Sequence, residues 1–155
     1  MMEPKAFIDL IGPAAQASEA QTGIPASFTV AQAALESAWG KSRLASEGKN
    51  LFGVKADAAW HGDVLELPTR EFLHGKWVTE VARWRKYADW QDCMDDHADF
   101  FRDNRRYLGC FSCSTGETWA KAVAKAGYAT DPNYAAKLIS VITKYSLHEL
   151  DRCSA

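Results

Sequence analysis

The chain has 155 residues, of which 47% are hydrophobic and 25% charged, and its formal net charge is −2. This length predicts one domain over residues 1–155, able to bury about 70% of the surface that the unfolded chain exposes. The composition excludes a disordered or fibrous protein, and a nucleic-acid partner is not expected because such binding requires a basic patch. The N-terminus has no basic stretch followed by an apolar core, so we expect neither a signal peptide nor insertion into a membrane.

The first third of the chain predicts two helices and a loop. Pro4 can open a helix whose apolar residues recur at helical spacing as far as Gly23. Pro25 opens the next helix, which ends near Gly40. Residues 42–45 are compatible with a further turn. Residues 47–62 are rich in Gly, Asn and Asp and predict a loop.

The middle of the chain predicts a β-hairpin, and the remainder predicts helices. Residues 64–72 and 76–87 mix aromatic and β-branched types on either side of a His-Gly pair. Asp89 can cap a helix over residues 90–103, and another helix is predicted over 115–126. Asp131 as cap and Pro132 in the first position predict a last helix that continues to Tyr145. We therefore expect an α+β fold, mainly helical, in which a small β lobe lies opposite Glu36 and forms a cleft.

Glu36 is the candidate acid catalyst. It lies in the last predicted turn of an otherwise apolar helix, in the run ALESAWG at residues 34–40. Desolvation by the aliphatic neighbours and the negative end of the helix dipole both favour the neutral carboxylic acid. A glycosidase needs such a group to donate a proton to the leaving sugar oxygen. The alternative is a solvent-facing glutamate on an amphipathic helix.

Three further segments carry a family resemblance, and all four occur in the family's order. They are NLFGVK at residues 50–55, TREF at 69–72 and GYATDPNYA at 127–135. With the glutamate block, these segments resemble the glucosaminidases of glycoside hydrolase family 73, which include the muramidase domain of flagellar rod proteins, autolysins and some phage lysins. The resemblance extends from about Phe7 to about Tyr145. It implies a lysozyme-like fold and no cofactor.

The resemblance also implies the catalytic residues. Glu36 matches the family's catalytic glutamate, and Glu71 lies where the family carries a second glutamate, with Glu66 and Asp63 as competitors nearby. Tyr128 matches a functionally important tyrosine, whose phenol could stabilise positive charge at the anomeric carbon or hold the substrate's acetamido group. If the acetamido oxygen attacks the anomeric carbon, no close second carboxylate is required.

Four residues are predicted to bind substrate. Asn50 and Phe52 match a block that forms the floor of the family's groove, where the Asn50 amide could fix the catalytic glutamate or a sugar hydroxyl. Tyr134 belongs to the same block as Tyr128. Among six tryptophans, Trp60 is the preferred sugar platform because its segment predicts a loop, although large aromatic residues mostly form core.

The remaining reactive side chains predict no further chemistry. The cysteines are Cys93, Cys110, Cys113 and Cys153. Cys110 and Cys113 have the spacing of half a zinc site, but no second pair follows, so no metal site is predicted. Outside the cytoplasm one or two disulfides are plausible, and the sequence does not choose the pairing. No recognisable motif supplies a histidine and an acid that would complete a serine triad.

The resemblance predicts an endo-β-N-acetylglucosaminidase that cleaves the β-1,4 bond between N-acetylglucosamine and N-acetylmuramic acid in peptidoglycan. The alternatives are a muramidase or lytic transglycosylase on the same fold, and a peptidoglycan-binding or assembly module without catalysis. Intact Glu36, Tyr128 and Asn50 argue against the inactive module. We expect synthesis in the cytoplasm and action in the periplasm or cell wall after release or export, as an endolysin, a secreted effector with an immunity protein in its groove, or a housekeeping remodelling enzyme.

Overall fold

A computed structural model describes residues 2–152 and shows a helical body with a two-stranded antiparallel sheet. The elements of this described part are α1 (Pro4–Thr22), α2 (Ala26–Ser37), α3 (Arg43–Gly48), β1 (Val64–Leu73), β2 (Lys76–Arg85), α4 (Trp90–Asp103), the 3-10 helix Arg105–Ser112, α5 (Gly116–Lys125), α6 (Tyr134–Lys144) and the 3-10 helix Leu147–Leu150. None of these helices is long and apolar enough to cross a membrane.

The predicted elements are present, with three differences. One is the 3-10 helix Leu147–Leu150, which lies beyond the last predicted element. The 3-10 helix Arg105–Ser112 follows α4 where no helix was predicted, because its RRYLGCFS sequence lacks an apolar repeat of 3.6 residues. The predicted start of the last helix at Pro132 is wrong, since α6 begins at Tyr134. The Asp131 carboxylate accepts a hydrogen bond from Asn133 N at 2.8 Å. It therefore stabilises a turn before the helix instead of capping the helix itself.

Helix α2 forms the centre of the core. Ten of its twelve residues are buried. Phe28 packs against Phe101 of α4 and Trp119 of α5, with ring centroids 5.9 and 5.6 Å apart. Full burial of each such side chain contributes about 1.5–3 kcal/mol to folding. Because α2 is enclosed on several sides, the glutamate near its C-terminus has a fixed position.

The N-terminus of α2 is capped by side chains from distant parts of the chain. The helix has no side-chain cap of its own. Glu19 Oε1 accepts a hydrogen bond from Ala26 N at 3.1 Å, and Asp151 Oδ1 accepts one from Ser27 N at 2.7 Å. Asp151 Oδ2 also accepts a hydrogen bond from the Ser27 hydroxyl at 2.6 Å. These two carboxylates satisfy backbone donors and complement the positive end of the helix dipole.

The β-hairpin packs on α3 at its base and is exposed at its tip. The strands pair from Val64 with Arg85 to Leu73 with Lys76, and both turn residues between them, His74 and Gly75, have positive φ. That geometry is typical of a type I′ turn, whose twist matches the strands. Near the base Leu67 is buried, whereas at the tip Phe72 and Trp77 are 60% and 63% exposed. The hairpin is thus anchored to the body at one end.

Candidate active site

Glu36 lies one residue before the end of α2, where the chain enters a strained turn. Ala38, Trp39 and Gly40 all have positive φ, which costs a non-glycine residue about 1–2 kcal/mol. The Ser37 hydroxyl stabilises this turn by donating to Ala33 O at 2.6 Å and accepting from Gly40 N at 2.9 Å.

Packing of the Trp39 side chain offsets the strain. Its ring lies 5.8 Å from Phe7 and 4.9 Å from Tyr145, in edge-to-face geometry with both. Contacts of this kind contribute about 0.5–1.5 kcal/mol each beyond area burial. The turn that follows Glu36 is therefore held from both sides.

The Glu36 carboxyl is subject to two opposing electrostatic effects. Its side chain reaches solvent, yet the surrounding protein desolvates the carboxyl, and this is the larger effect and raises its pKa. The Tyr134 hydroxyl donates a hydrogen bond to Glu36 Oε1 at 2.9 Å, which lowers the pKa. The net direction is upward, as the position of Glu36 in the sequence predicts. A carboxyl with a raised pKa is suited to proton donation.

Behind Tyr134, two buried polar side chains extend the hydrogen bonding into the core. Gln32 Nε2 donates to the Tyr134 hydroxyl at 2.9 Å, and Gln32 Oε1 lies 2.6 Å from His97 Nε2. Gln32 and His97 are 0% and 3% exposed. Burial lowers the pKa of His97 to about 3, so the ring is neutral at physiological pH.

Tyr128 lies beside Tyr134 and also lines a cavity. Its ring stacks on that of Tyr134 with centroids 5.6 Å apart. Burial raises the pKa of Tyr128, and the nearby charge of Glu36 contributes in the same direction. Burial likewise raises the pKa of Tyr134, so both tyrosines are neutral hydrogen-bond donors at physiological pH. The structure thus brings together the three predicted residues Glu36, Tyr128 and Tyr134.

The cavity next to Tyr128 has a volume of about 600 Å³. One wall is the loop that includes Phe52 and Lys55, and the other is α4 with the chain that follows it. Phe100 and Tyr107 add aromatic surface, with Phe100 40% exposed. The rest of the lining is largely charged or polar, namely Lys55, Asp57, Arg85, Asp96, Asp99, Asp103 and Asn104. A concave site that combines aromatic and polar surface suits a sugar ring, which has apolar faces and a polar edge. The Glu36 side chain lies outside the cavity lining and is linked to it through Tyr134, which it contacts, and Tyr128, which stacks on Tyr134.

Glu71 lies on β1, opposite Val78 of β2. Its carboxylate forms an ion pair with Lys55 across 3.7 Å, and 37% of its side chain is exposed. Lys55 also lines the cavity. Glu71 is therefore on the hairpin face that approaches the loop forming one cavity wall.

Asn50 and Phe52 have different surroundings in the cavity loop. The Asn50 amide is 1% exposed, donates to Val54 O and Arg85 O at 2.9 Å each, and accepts from Val54 N at 3.1 Å. It thereby ties the loop to the end of β2, and its hydrogen bonds go to the backbone. Phe52 lines the cavity and stacks on His97 with a centroid distance of 3.6 Å.

Trp60 lies at the far end of the same loop, outside the cavity of Tyr128. Its indole N–H donates to Asp63 O at 2.8 Å, and its ring contacts Tyr87 edge-on at 5.5 Å. The Arg85 guanidinium lies 4.9 Å above the ring. These contacts hold the indole against the protein, which leaves only part of it exposed.

Two buried residues of the site, Gln32 and His97, were not identified from the sequence. Gln32 had a recognisable signal, because it is a polar residue in an apolar helix, four positions before Glu36 and so on the same face. His97 had none, since its contact with Gln32 spans 65 residues of sequence. A long-range contact of this kind depends on how α4 packs on α2.

Within residues 2–152, no cluster of three or more His, Cys, Asp or Glu side chains could hold a metal ion. Cys93, Cys110 and Cys113 are free thiols, and Cys153 lies outside the described residues. Burial raises the pKa of the Cys93 thiol to about 12. This thiol is therefore a poor nucleophile at physiological pH.

Comparison with known proteins gives a match over most of the chain. The glucosaminidase family profile, described as mannosyl-glycoprotein endo-beta-N-acetylglucosaminidase, matches residues 12–147. The peptidoglycan hydrolase FlgJ of Salmonella typhimurium is 42% identical over 134 residues, which cover 84% of this chain and 42% of FlgJ. The exo-glucosaminidase LytG of Bacillus subtilis is 38% identical over 154 residues, which cover 96% of this chain and 54% of LytG. The chain spans about half the length of these curated relatives.

The expected lysozyme-like fold is confirmed by solved structures. The catalytic domain of the autolysin Auto from Listeria monocytogenes superposes with a TM-score of 0.86 at 29% sequence identity. The superposition covers 96% of this chain and 87% of the Auto chain. The helical body and the two-stranded lobe are thus a shared architecture.

Proposed function

The chain belongs to the glucosaminidase family of glycoside hydrolases, and we propose that it hydrolyses peptidoglycan by cleaving the β-1,4 bond on the reducing side of N-acetylglucosamine within the glycan strand. The observation that carries the proposal is Glu36, a partly desolvated carboxyl with a raised pKa, held by Tyr134 beside an aromatic cavity. Glu36 donates its proton to the leaving oxygen of N-acetylmuramic acid. Asn50 and Phe52 shape the substrate groove, and Trp60 contacts a more distant part of the glycan.

The nucleophile in this step is the substrate's own acetamido group. Its oxygen attacks the anomeric carbon as the glycosidic bond breaks, and water then opens the cyclic intermediate while the Glu36 carboxylate takes the proton. In this proposal Tyr128 holds the acetamido group, which is supported by its position beside Tyr134 in the cavity lining. Glu71 is the alternative base, but its carboxylate is paired with Lys55 and near the exposed tip of the hairpin. A base must lie within about 3 Å of the proton it removes, directly or through one water, and this requirement is why we prefer the acetamido group to Glu71.

The general acid is tested by Glu36→Gln, which preserves shape and cannot donate the proton. We expect turnover of purified peptidoglycan to fall by about 10²- to 10⁴-fold. Glu47→Gln is the matched control, because Glu47 lies on the neighbouring helix α3 and forms only an exposed ion pair with Arg43. Near wild-type turnover by a folded Glu36→Gln protein would refute the assignment.

Comparing Tyr128→Phe with Glu71→Gln tests whether the acetamido group or Glu71 assists the reaction. Acetamido participation predicts a severe loss with Tyr128→Phe, a mild loss with Glu71→Gln, and a product that first appears with retained β configuration. A harmless Tyr128→Phe together with an inactive Glu71→Gln would assign the base to Glu71 instead. Azide rescue of Glu71→Gln would support that outcome.

The scissile bond is tested by reducing the digest with borohydride and analysing muropeptides by mass spectrometry. Reduced N-acetylglucosamine is expected at the new ends. Reduced N-acetylmuramic acid would identify a muramidase, and anhydro ends a lytic transglycosylase. Products of several lengths at early times would support endo cleavage, whereas release of single units from chain ends would indicate an exo enzyme.

The site of action that follows from this substrate is the bacterial cell wall. Export or release by another system, and an immunity protein in the groove if the protein is a secreted effector, remain predictions. Measuring lysis of bacteria that express the chain with and without an added export signal would test where it acts. Lysis only with the signal is expected.

A further inference from the structure

We propose that Gln32 and His97 are positioning residues, which orient the Tyr134 hydroxyl so that it donates to Glu36. This inference rests on the proposed role of Glu36. The observation behind it is a row of four side chains from three helices, α4, α2 and α6, with contacts of 2.6, 2.9 and 2.9 Å. Gln32 is fully buried, so water does not compete for its amide. His97 is nearly buried and also contributes to the cavity lining.

The direction of the hydrogen bonds follows from the chemistry of each group. With the Gln32 amide in the orientation that the structure shows, Oε1 faces His97 and can only accept, so His97 Nε2 carries the proton in this contact. The Gln32 amide then presents its NH₂ group to the Tyr134 oxygen. Because that oxygen already accepts a hydrogen bond, the single hydroxyl proton of Tyr134 points to Glu36 Oε1.

The same hydrogen bonds could also run in the opposite direction, and the tautomer of His97 decides between the two directions. If neutral His97 carried its proton on Nδ1, its Nε2 would be an acceptor, and the Gln32 amide would turn to donate to it. Gln32 Oε1 would then face Tyr134 and take its proton. Glu36 would lose its donor without any movement of the backbone.

The ring of His97 is fixed in a way that suits this role. It stacks on Phe52 at 3.6 Å and meets the edge of Phe101 at 4.9 Å, so apolar rings hold its plane. The ring stays neutral, so a choice between two tautomers exists at physiological pH. The titratable groups that face Glu36 itself are Tyr134 from α6 and Tyr128 from the preceding loop, and both are neutral there.

Two NMR measurements on the full chain test the proposal without substrate. In protein with ¹⁵N-labelled histidine, the His97 shifts should show the neutral tautomer protonated on Nε2. The ¹³Cδ signal of Glu36 should report an upward pKa shift of about one unit in Tyr134→Phe, as expected for loss of a hydrogen bond to a carboxylate. His97→Phe should shift it in the same direction by less, because the Gln32 amide is no longer held in one orientation.

Two variants separate positioning from a structural role. His97→Gln keeps an N–H near the position of Nε2 and should leave the Glu36 pKa within a few tenths of the wild-type value. Ser27→Ala removes a part-buried hydrogen bond at the other end of α2 and should not shift the pKa of Glu36. The alkaline limb of kcat/KM should move upward in Tyr134→Phe and His97→Phe only, since Glu36 must be protonated to act.

Several results would overturn the proposal. One is the Nδ1-protonated tautomer in the wild-type protein, which decides the matter even if His97→Phe fails to fold. Another is a folded His97→Phe whose Glu36 titrates as in the wild type. If Glu36→Gln retained activity, the proposed function would fail, whereas the NMR shifts would still test the hydrogen-bond direction separately.

Discussion

Removing the Asp151 carboxylate is expected to destabilise the protein strongly, although Asp151 lies far along the sequence from α2, the helix that it caps. In Asp151→Ala, Ser27 loses two acceptors, at 2.7 Å for its backbone N–H and 2.6 Å for its hydroxyl. An N-cap contributes about 0.5–2 kcal/mol, and a hydrogen bond to a charged group about 1.5–3 kcal/mol. Because the site is part-buried and water can replace some of the lost hydrogen bonding, we expect the free energy of unfolding to fall by about 2–3 kcal/mol. For a chain of this length that lowers Tm by roughly 5–10 °C.

The assay is urea and thermal unfolding followed by circular dichroism, with a double-mutant cycle. Ser27→Ala alone should cost about 1 kcal/mol, since it removes the hydroxyl bond and keeps the backbone cap. The cost of Ser27→Ala should nearly vanish when Asp151 is already alanine. Activity below the melting temperature should persist, because Glu36 lies about 14 Å further along the helix axis. A loss under about 0.5 kcal/mol in Asp151→Ala, or full additivity in the cycle, would refute the capping role.

Three further predictions follow from the structure. Gly116→Ala should destabilise the fold by about 1–3 kcal/mol in urea unfolding, because the added Cβ would lie 2.1 Å from Ser27 Oγ; an unchanged midpoint would contradict this. Glu36→Gln should raise Tm at alkaline pH and leave it unchanged at acidic pH. The folded-state pKa is raised, so stability falls as pH rises from the unfolded pKa and stays low above the folded one; a gain confined to low pH would reverse the sign. Cys93 should resist iodoacetamide at mildly alkaline pH until the protein unfolds, since its thiol pKa is about 12; rapid labelling detected by mass spectrometry would contradict its burial.

The sequence alone was sufficient for features that depend on neighbouring residues. The helix Trp90–Asp103 was predicted with its bounds and its Asp89 cap, because the cap, the apolar repeat and the stop lie within one segment. The hairpin was predicted within one or two residues of its bounds for the same reason, since His74-Gly75 suits the turn that two strands of this twist require. Glu36 was singled out as a candidate because an acid in an apolar helical run is a local contrast, and the family resemblance of the neighbouring segments supported that choice.

Only the tertiary structure decided which side chains meet. The partner of Glu36 is Tyr134, 98 residues away, and behind it Gln32 contacts His97, 65 residues away. The carboxylate that caps α2 comes from Asp151, 124 residues beyond Ser27. Residue periodicity shows which face of each helix is apolar, but the rotation and crossing of two helices depend on how their side chains interdigitate. Buried polar contacts follow from that packing, so they become visible only when the helices are assembled.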